Sequence, residues 1–165
     1  MYTLILIGVS MIVSLMIIPV VIAVSKKLDI VDKPNFRKIH TKPISMLGGS
    51  AILLSFLIGI WLGEPIEREI KPLLLGSVVI YLVGLIDDLY DLKPIIKLIG
   101  QILAATVVVS YGVTIDFISL PIGPTIHFGW LGIPITIFWI VAITNAINLI
   151  DGLDGLAAGV SVIAL

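Results

Sequence analysis

Five apolar blocks constrain this chain more than any other feature. They cover residues 2–24, 45–62, 72–86, 95–111 and 133–150, and each is long enough, or nearly so, for the roughly 20 helical residues that cross a bilayer. A sixth apolar run opens at Leu156 and is cut at Leu165, so the chain is expected to be a fragment. Of the 165 residues, 59% are hydrophobic and 13% charged, with a mean hydropathy of +1.21. That is too little charge to cover a water-soluble domain, which leaves lipid as the solvent. The first block carries neither a basic leader nor a small-residue cleavage site, and reads as a retained helix.

The expectation is an all-α integral membrane fold, a polytopic bundle of transmembrane helices forming a single domain over residues 1–165. One connection differs. Residues 112–132 hold no Lys or Arg, and two short strands, 113–120 and 125–130, flank Pro121 and Pro124. They are predicted to form a β-hairpin between the fourth and fifth helices. The absence of cysteine excludes disulfides and thiolate metal sites. A net charge of −1 gives no electrostatic reason to expect a nucleic-acid partner.

Counting crossings orients the bundle. Alternate connections share a side, and one side collects Lys26, Lys27, Lys33, Arg37, Lys38, Lys42, Lys93 and Lys97, leaving Arg68 and Lys71 on the other. The positive-inside rule then places the N-terminus outside and the first, third and fifth connections in the cytoplasm. Those three connections also carry the unusual polar motifs, so helix counting alone gathers the motifs on one face.

The first motif is Asp87, Asp88 and Asp91, directly after an apolar run. In a continuing helix Asp87 and Asp91 would share a face, with Asp88 about 100° away. Carboxylates are expensive there, about 2.5–3.5 kcal/mol each at mid-bilayer and less near an interface. Clustered, they also repel one another unless a cation neutralises them. Mg²⁺ suits such a set, being bound by one or two carboxylates plus substrate phosphates. The plain alternative is a solvated loop that ends a helix.

The second motif is Asn145, Asn148, Asp151 and Asp154, with Gly152 and Gly155. If helical, the first three fall within an arc of about 120°. Asn both donates and accepts, so it can orient a carboxylate and a sugar hydroxyl together. Interhelical hydrogen bonding followed by an ordinary turn is the competing reading. The third motif is the basic connection with Asp32, Asn35, Arg37, Lys38, His40 and Lys42, followed by Gly48 and Gly49. Its cations could hold phosphates, or simply enforce topology at anionic headgroups. Gly48 and Gly49 also fit close helix packing, as does the Gly59/Gly63 spacing. His127 lies away from these clusters and reads as structural; Trp61 and Trp130 fit interface anchors, and Pro19 a kink.

Together these three segments resemble the polyprenyl-phosphate N-acetylhexosamine-1-phosphate transferases (glycosyltransferase family 4). The resemblance runs through Asp32 to His40 with Gly48 and Gly49, through Asp87, Asp88 and Asp91, and through Asn145, Asn148, Asp151, Asp154 and Gly155. An isolated run of three Asp is weak evidence; all three motifs in this order are specific. Asp91 is similar to the branch that initiates O-antigen, enterobacterial common antigen or teichoic acid synthesis, since the branch transferring phospho-muramoyl-pentapeptide usually has Lys there. Members have ten or eleven transmembrane helices and a later His-rich loop, which lies beyond this chain. On that basis the chain matches an N-terminal half and is expected to be inactive alone.

What the resemblance implies is a bacterial inner-membrane enzyme, which can pair as a homodimer. Its donor would be a UDP-N-acetylhexosamine, specifically UDP-GlcNAc, its acceptor undecaprenyl phosphate, and its cofactor Mg²⁺ or Mn²⁺. The lipid phosphate would attack the β-phosphorus and release UMP, directly or through a covalent phospho-enzyme. In that scheme Asp151 and Asp88 hold the metal, Asp87 activates the lipid phosphate and Asp91 orders the site, although Asp87 and Asp88 are interchangeable on sequence grounds. Asn145, Asn148 and Asp154 serve the nucleotide sugar, and Lys38, His40 and Lys42 the phosphates. An integral-membrane prenyltransferase would also present paired Asp to a diphosphate, but explains the Asn/Asp series and the basic connection less well. A transporter would place its carboxylates mid-helix, whereas all 11 Asp and Glu here lie in connections or at block ends.

Overall fold

A computed structural model describes residues 2–32, 43–62, 70–121, 123–151 and 155–164. Six helices dominate: α1 (Tyr2–Lys27), α2 (Gly48–Trp61), α3 (Ile70–Tyr90), α4 (Pro94–Ser110), α5 (Gly132–Ile150) and α6 (Leu156–Ala164). Two small antiparallel ladders interrupt them: β1 (Val31–Asp32) with β2 (Ile44–Ser45), and β3 (Phe117–Ser119) with β4 (Thr125–His127). This is a helical membrane protein with the hairpin expected between α4 and α5.

Three helical stretches are long and apolar enough to span a membrane: Leu6–Lys27, Ile70–Tyr90 and Gly129–Ile150. Among the described residues α2, with 14 residues, is shorter than the expected block 45–62, whereas α4, with 17, matches 95–111 to within one residue at each end. The largest revision concerns α3, which runs from Ile70 to Tyr90 and not from 72 to 86. Backbone N–H and C=O groups near lipid need internal partners, so the helix carries on through Asp87 and Asp88 before releasing its chain. Similarly α1 extends to Lys27, beyond the expected 24.

The helices pack in sequence, α1 on α2, α3 on α4 and α4 on α5. Their contacts are made by small residues. Ala51, Ser55, Gly59, Gly76, Ala104 and Ala105 are buried, while Ile7, Met11, Ile12, Leu15 and Met16 of α1 are exposed. That inversion of the soluble pattern follows from the solvent: lipid offers no drive to hide Leu and Ile, and close backbone approach supplies the packing instead. Gly100 illustrates it, since a Cβ there would come within 2.7 Å of Val83 Cγ2 across the α3–α4 seam. Gly49 lies against the Tyr81 ring, and the Ser50 and Tyr81 hydroxyls hydrogen-bond between α2 and α3.

At the far end of the bundle, Thr136 Oγ1 donates to Gly132 O (2.6 Å) and accepts from the Ile115 N–H (2.8 Å), pinning the hairpin to α5. The strands are shorter than 113–120 and 125–130, pairing only Phe117 with His127, Ile118 with Ile126 and Ser119 with Thr125. His127 packs its ring on Phe117.

Candidate active site

The candidate site lies where α3 ends, α4 begins and α5 ends. Each of these termini has a local cause. At the end of α3, Asp91 takes a left-handed backbone (φ 51°) and its N–H donates to the Asp87 carbonyl at 2.8 Å. Asp tolerates this conformation better than most residues, and the single bond is the αL cap that terminates helices. Lys93 is then extended, as the residue before a proline prefers, and Pro94 opens α4 at a position where no N–H is needed. Asp91 therefore leaves the helical face of Asp87, contrary to the continuous-helix expectation. It stands at the turn between α3 and α4.

One cation ties the three helices together. Lys97, in the first turn of α4, donates from Nζ to Asp87 Oδ2 of α3 at 2.7 Å and to Asn148 Oδ1 of α5 at 3.0 Å. The Lys97 and Asp87 side chains are 18% and 19% exposed, so water screens the pair only partly. One helical turn deeper, Gln101 and Asn145 exchange hydrogen bonds. Gln101 Nε2 donates to Asn145 Oδ1 at 3.3 Å, and Asn145 Nδ2 donates to Gln101 Oε1 at 2.7 Å and to the Val141 carbonyl at 2.8 Å.

Around this scaffold sit the carboxylates. Asp88 is exposed at the end of α3, within electrostatic reach of Asp87, Lys97, Asp151 and Asp32. Asp151 caps α5, its N–H donating to the Ile147 carbonyl at 3.1 Å. Asp32 belongs to β1, whose pairing with β2 brings the two ends of the basic connection together. The site is also approached from α1, which closes in a Schellman turn. There Asp29 is left-handed at φ 56°, and the Asp29 and Ile30 N–H groups bond to the Lys26 and Ser25 carbonyls. Polar groups from the first, third and fifth connections thus meet at one end of the bundle. Lys38, His40, Lys42 and Asp154 lie outside the described residues.

Among the described residues no group of three or more His, Asp or Glu is arranged to hold a metal. The donors present are carboxylate oxygens of Asp88 and Asp151, neither of which makes an ion pair with a described residue. An all-oxygen pair of this kind fits a hard cation that keeps several waters and takes substrate phosphates as further ligands.

Sequence reasoning had not placed Lys97 or Gln101 in the site. A signal existed: a cation and an amide four residues apart inside the otherwise apolar block 95–111. Polar groups in such a block mark functional positions unless shown otherwise.

A sequence model described as glycosyl transferase family 4 matches residues 71–165, which include every helix of this site. The chain belongs to glycosyl transferase family 4. Similar family members include a probable undecaprenyl-phosphate N-acetylglucosaminyl 1-phosphate transferase of Bacillus subtilis (strain 168). It is 42% identical over 159 residues, 95% of this chain and 44% of the relative. An undecaprenyl-phosphate alpha-N-acetylglucosaminyl 1-phosphate transferase of Thermotoga maritima is 37% identical, covering 91% of this chain and 46% of its own. A decaprenyl-phosphate N-acetylglucosaminephosphotransferase of Mycobacterium leprae is 34% identical, covering 84% and 38%. The chain thus spans less than half the length of these family members.

Proposed function

We propose that this chain forms part of an enzyme that transfers N-acetylglucosamine-1-phosphate from UDP-GlcNAc to undecaprenyl phosphate, releasing UMP. The observation that carries the reading is the Lys97 bridge, which joins Asp87 to Asn148 at the bundle end where Asp88 and Asp151 also lie. The names of the family members supply the substrate class. The reaction exchanges one phosphoanhydride for another: an oxygen of the lipid phosphate bonds to the β-phosphorus, and the bond to the α-phosphate oxygen breaks with its electrons leaving on UMP.

Two anions must meet, so neutralising charge is the main electrostatic task. Lys97 serves it directly, holding a fixed positive charge beside the reacting phosphates while anchoring Asp87. Asp87 is thereby oriented to accept a proton from the lipid phosphate or to align it. Asn148 receives Lys97 on its carbonyl, and among the described residues its Nδ2 hydrogens are uncommitted, so they are free to donate to a bound sugar nucleotide. Asp88 and Asp151 would hold Mg²⁺, with Mn²⁺ the alternative. When bound, the ion supplies charge stabilisation on the diphosphate. Asp154, Lys38, His40 and Lys42 remain candidates for the nucleotide sugar and phosphates, and Asp91 for ordering the α3–α4 turn.

The site lies at the membrane surface for a physical reason. The prenyl chain stays in lipid while its phosphate reaches water. Under the positive-inside assignment that surface is the cytoplasmic face of the bacterial inner membrane, with the N-terminus outside. The test is UMP release by the full-length protein in membranes supplied with UDP-GlcNAc, undecaprenyl phosphate and Mg²⁺. Release that requires all three supports the reading. Turnover of a prenyl diphosphate, with no UMP from the sugar nucleotide, overturns it in favour of a prenyltransferase.

A further inference from the structure

We propose that Gln101 and Asn145 form a positioning clasp that sets the rotation of α4 against α5, and that Asn145 does not itself bind the donor sugar. The proposal deepens the functional reading above and rests on it for its kinetic readout.

The hydrogen-bond inventory of Asn145 is the starting point. Both Nδ2 hydrogens are committed, one to Gln101 Oε1 and one to the Val141 carbonyl, and its Oδ1 accepts from Gln101 Nε2. A side-chain amide offers two donors and two acceptor lone pairs, so one lone pair is all that Asn145 could give a ligand. Gln101 is 2% exposed and makes two of these bonds, donating from Nε2 and accepting on Oε1. Asn148, by contrast, is exposed and, among the described residues, keeps both amide hydrogens uncommitted. Two Asn residues three positions apart, equal candidates in the sequence, divide into a half-buried amide held by its neighbours and an exposed one.

The geometry shows what the Gln101–Asn145 pair controls. Lys97 and Gln101 are four apart on α4, and Asn145 and Asn148 three apart on α5, so each helix presents both residues on one face. The result is a two-rung ladder: Lys97–Asn148 at the membrane surface, Gln101–Asn145 about one turn, or roughly 5 Å, deeper. The lower rung is reciprocal and therefore directional. Rotating either helix by about 20° would move an atom about 6 Å from its axis by roughly 2 Å, breaking both amide bonds; turning α4 would also carry Lys97 off Asp87, and turning α5 would carry Asn148 off Lys97.

The experiment uses the full-length protein and the initial rate of UMP release, with UDP-GlcNAc varied at saturating undecaprenyl phosphate. The variants are Gln101→Asn, Asn145→Gln and the double exchange, which keeps two amides and the same summed side-chain length. Each single variant is expected to lower kcat about 10- to 100-fold, the range associated with misplacing a catalytic group by an ångström. KM for UDP-GlcNAc should stay within about threefold. The double exchange should return kcat to within about fivefold of wild type. A rise of tenfold or more in KM for Asn145→Gln with kcat preserved would show a direct donor contact and overturn the proposal. So would a double exchange no better than the worse single variant. If the wild-type protein releases no UMP, the functional reading fails separately. The clasp is then judged by Tm, which the single changes must lower and the double exchange must restore.

Discussion

Replacing Lys97 with Met keeps the length of the side chain and removes its charge. The structure allows the loss to be sized. At 2.7 Å from Asp87 Oδ2, two unit charges attract by about 6 kcal/mol at an effective dielectric of 20. Most of that is returned as desolvation. Hydrogen bonds to charged groups contribute about 1.5–3 kcal/mol net, and the two partners are under one-fifth exposed, so exposure calls for no large discount. If the bridge is held through the transition state, 1.5–3 kcal/mol translates into a loss of about 10- to 150-fold in kcat/KM. The assay is UMP release by the full-length enzyme at several UDP-GlcNAc concentrations. Lys97→Arg should recover part of the loss, since the charge is restored but the planar fork cannot reproduce a point-charge contact with both partners. A cycle with Asp87→Asn apportions the effect: the double variant should be markedly better than the product of the two single losses. A Lys97→Met enzyme with more than half the wild-type rate, or strictly additive losses, refutes the bridge as part of the site.

Three further outcomes follow from the same geometry. Asp88→Asn and Asp151→Asn should each raise the Mg²⁺ concentration for half-maximal activity by about tenfold or more, whereas an unchanged midpoint in both would remove them as ligands. Asp91→Asn keeps a residue tolerant of φ 51° and should lose less than about tenfold in rate. Asp91→Val strains the αL cap by about 1–2 kcal/mol and should lose more, with a lower Tm; equal losses in the two would point to the carboxylate and not the turn. Gly100→Val places a branched side chain where Val83 already lies, and overpacking of this kind costs about 1–3 kcal/mol. The measurement is Tm in detergent, and an unchanged value would contradict the tight α3–α4 seam.

Much of the architecture was legible because a bilayer imposes coarse rules. Apolar runs, the basic first connection and the turn residues around Pro121 gave the helices, their alternation and the hairpin. They also gathered Asp87, Asp88 and Asp151 at one end before any contact was known. Other features rest on interactions that have no linear signature. The two-residue pairing of Val31 with Ser45 and Asp32 with Ile44 is too short to show alternation. The end of α3 was misplaced because Asp87 and Asp88 look like loop residues, although their backbone groups still need helical partners. Lys97 and Gln101 stand out as polar residues four apart in an apolar block, but the sequence does not say which neighbours they meet. Asn145 and Asn148 were indistinguishable for the same reason, and only the facing helix separates them.

The order in which these partners are synthesised has a bearing on assembly. Lys97 and Asp87 are ten residues apart across one tight turn, whereas Asn148 lies 51 residues further on. A nascent α3–α4 hairpin can therefore hold Lys97 with its carboxylate already mated near the interface, where a lone ion costs less than at mid-bilayer but is still disfavoured. Forming this pair need not wait for α5. On the proposed function, the group that would confront substrate phosphates would first act as the counter-ion that helps its own helix be inserted.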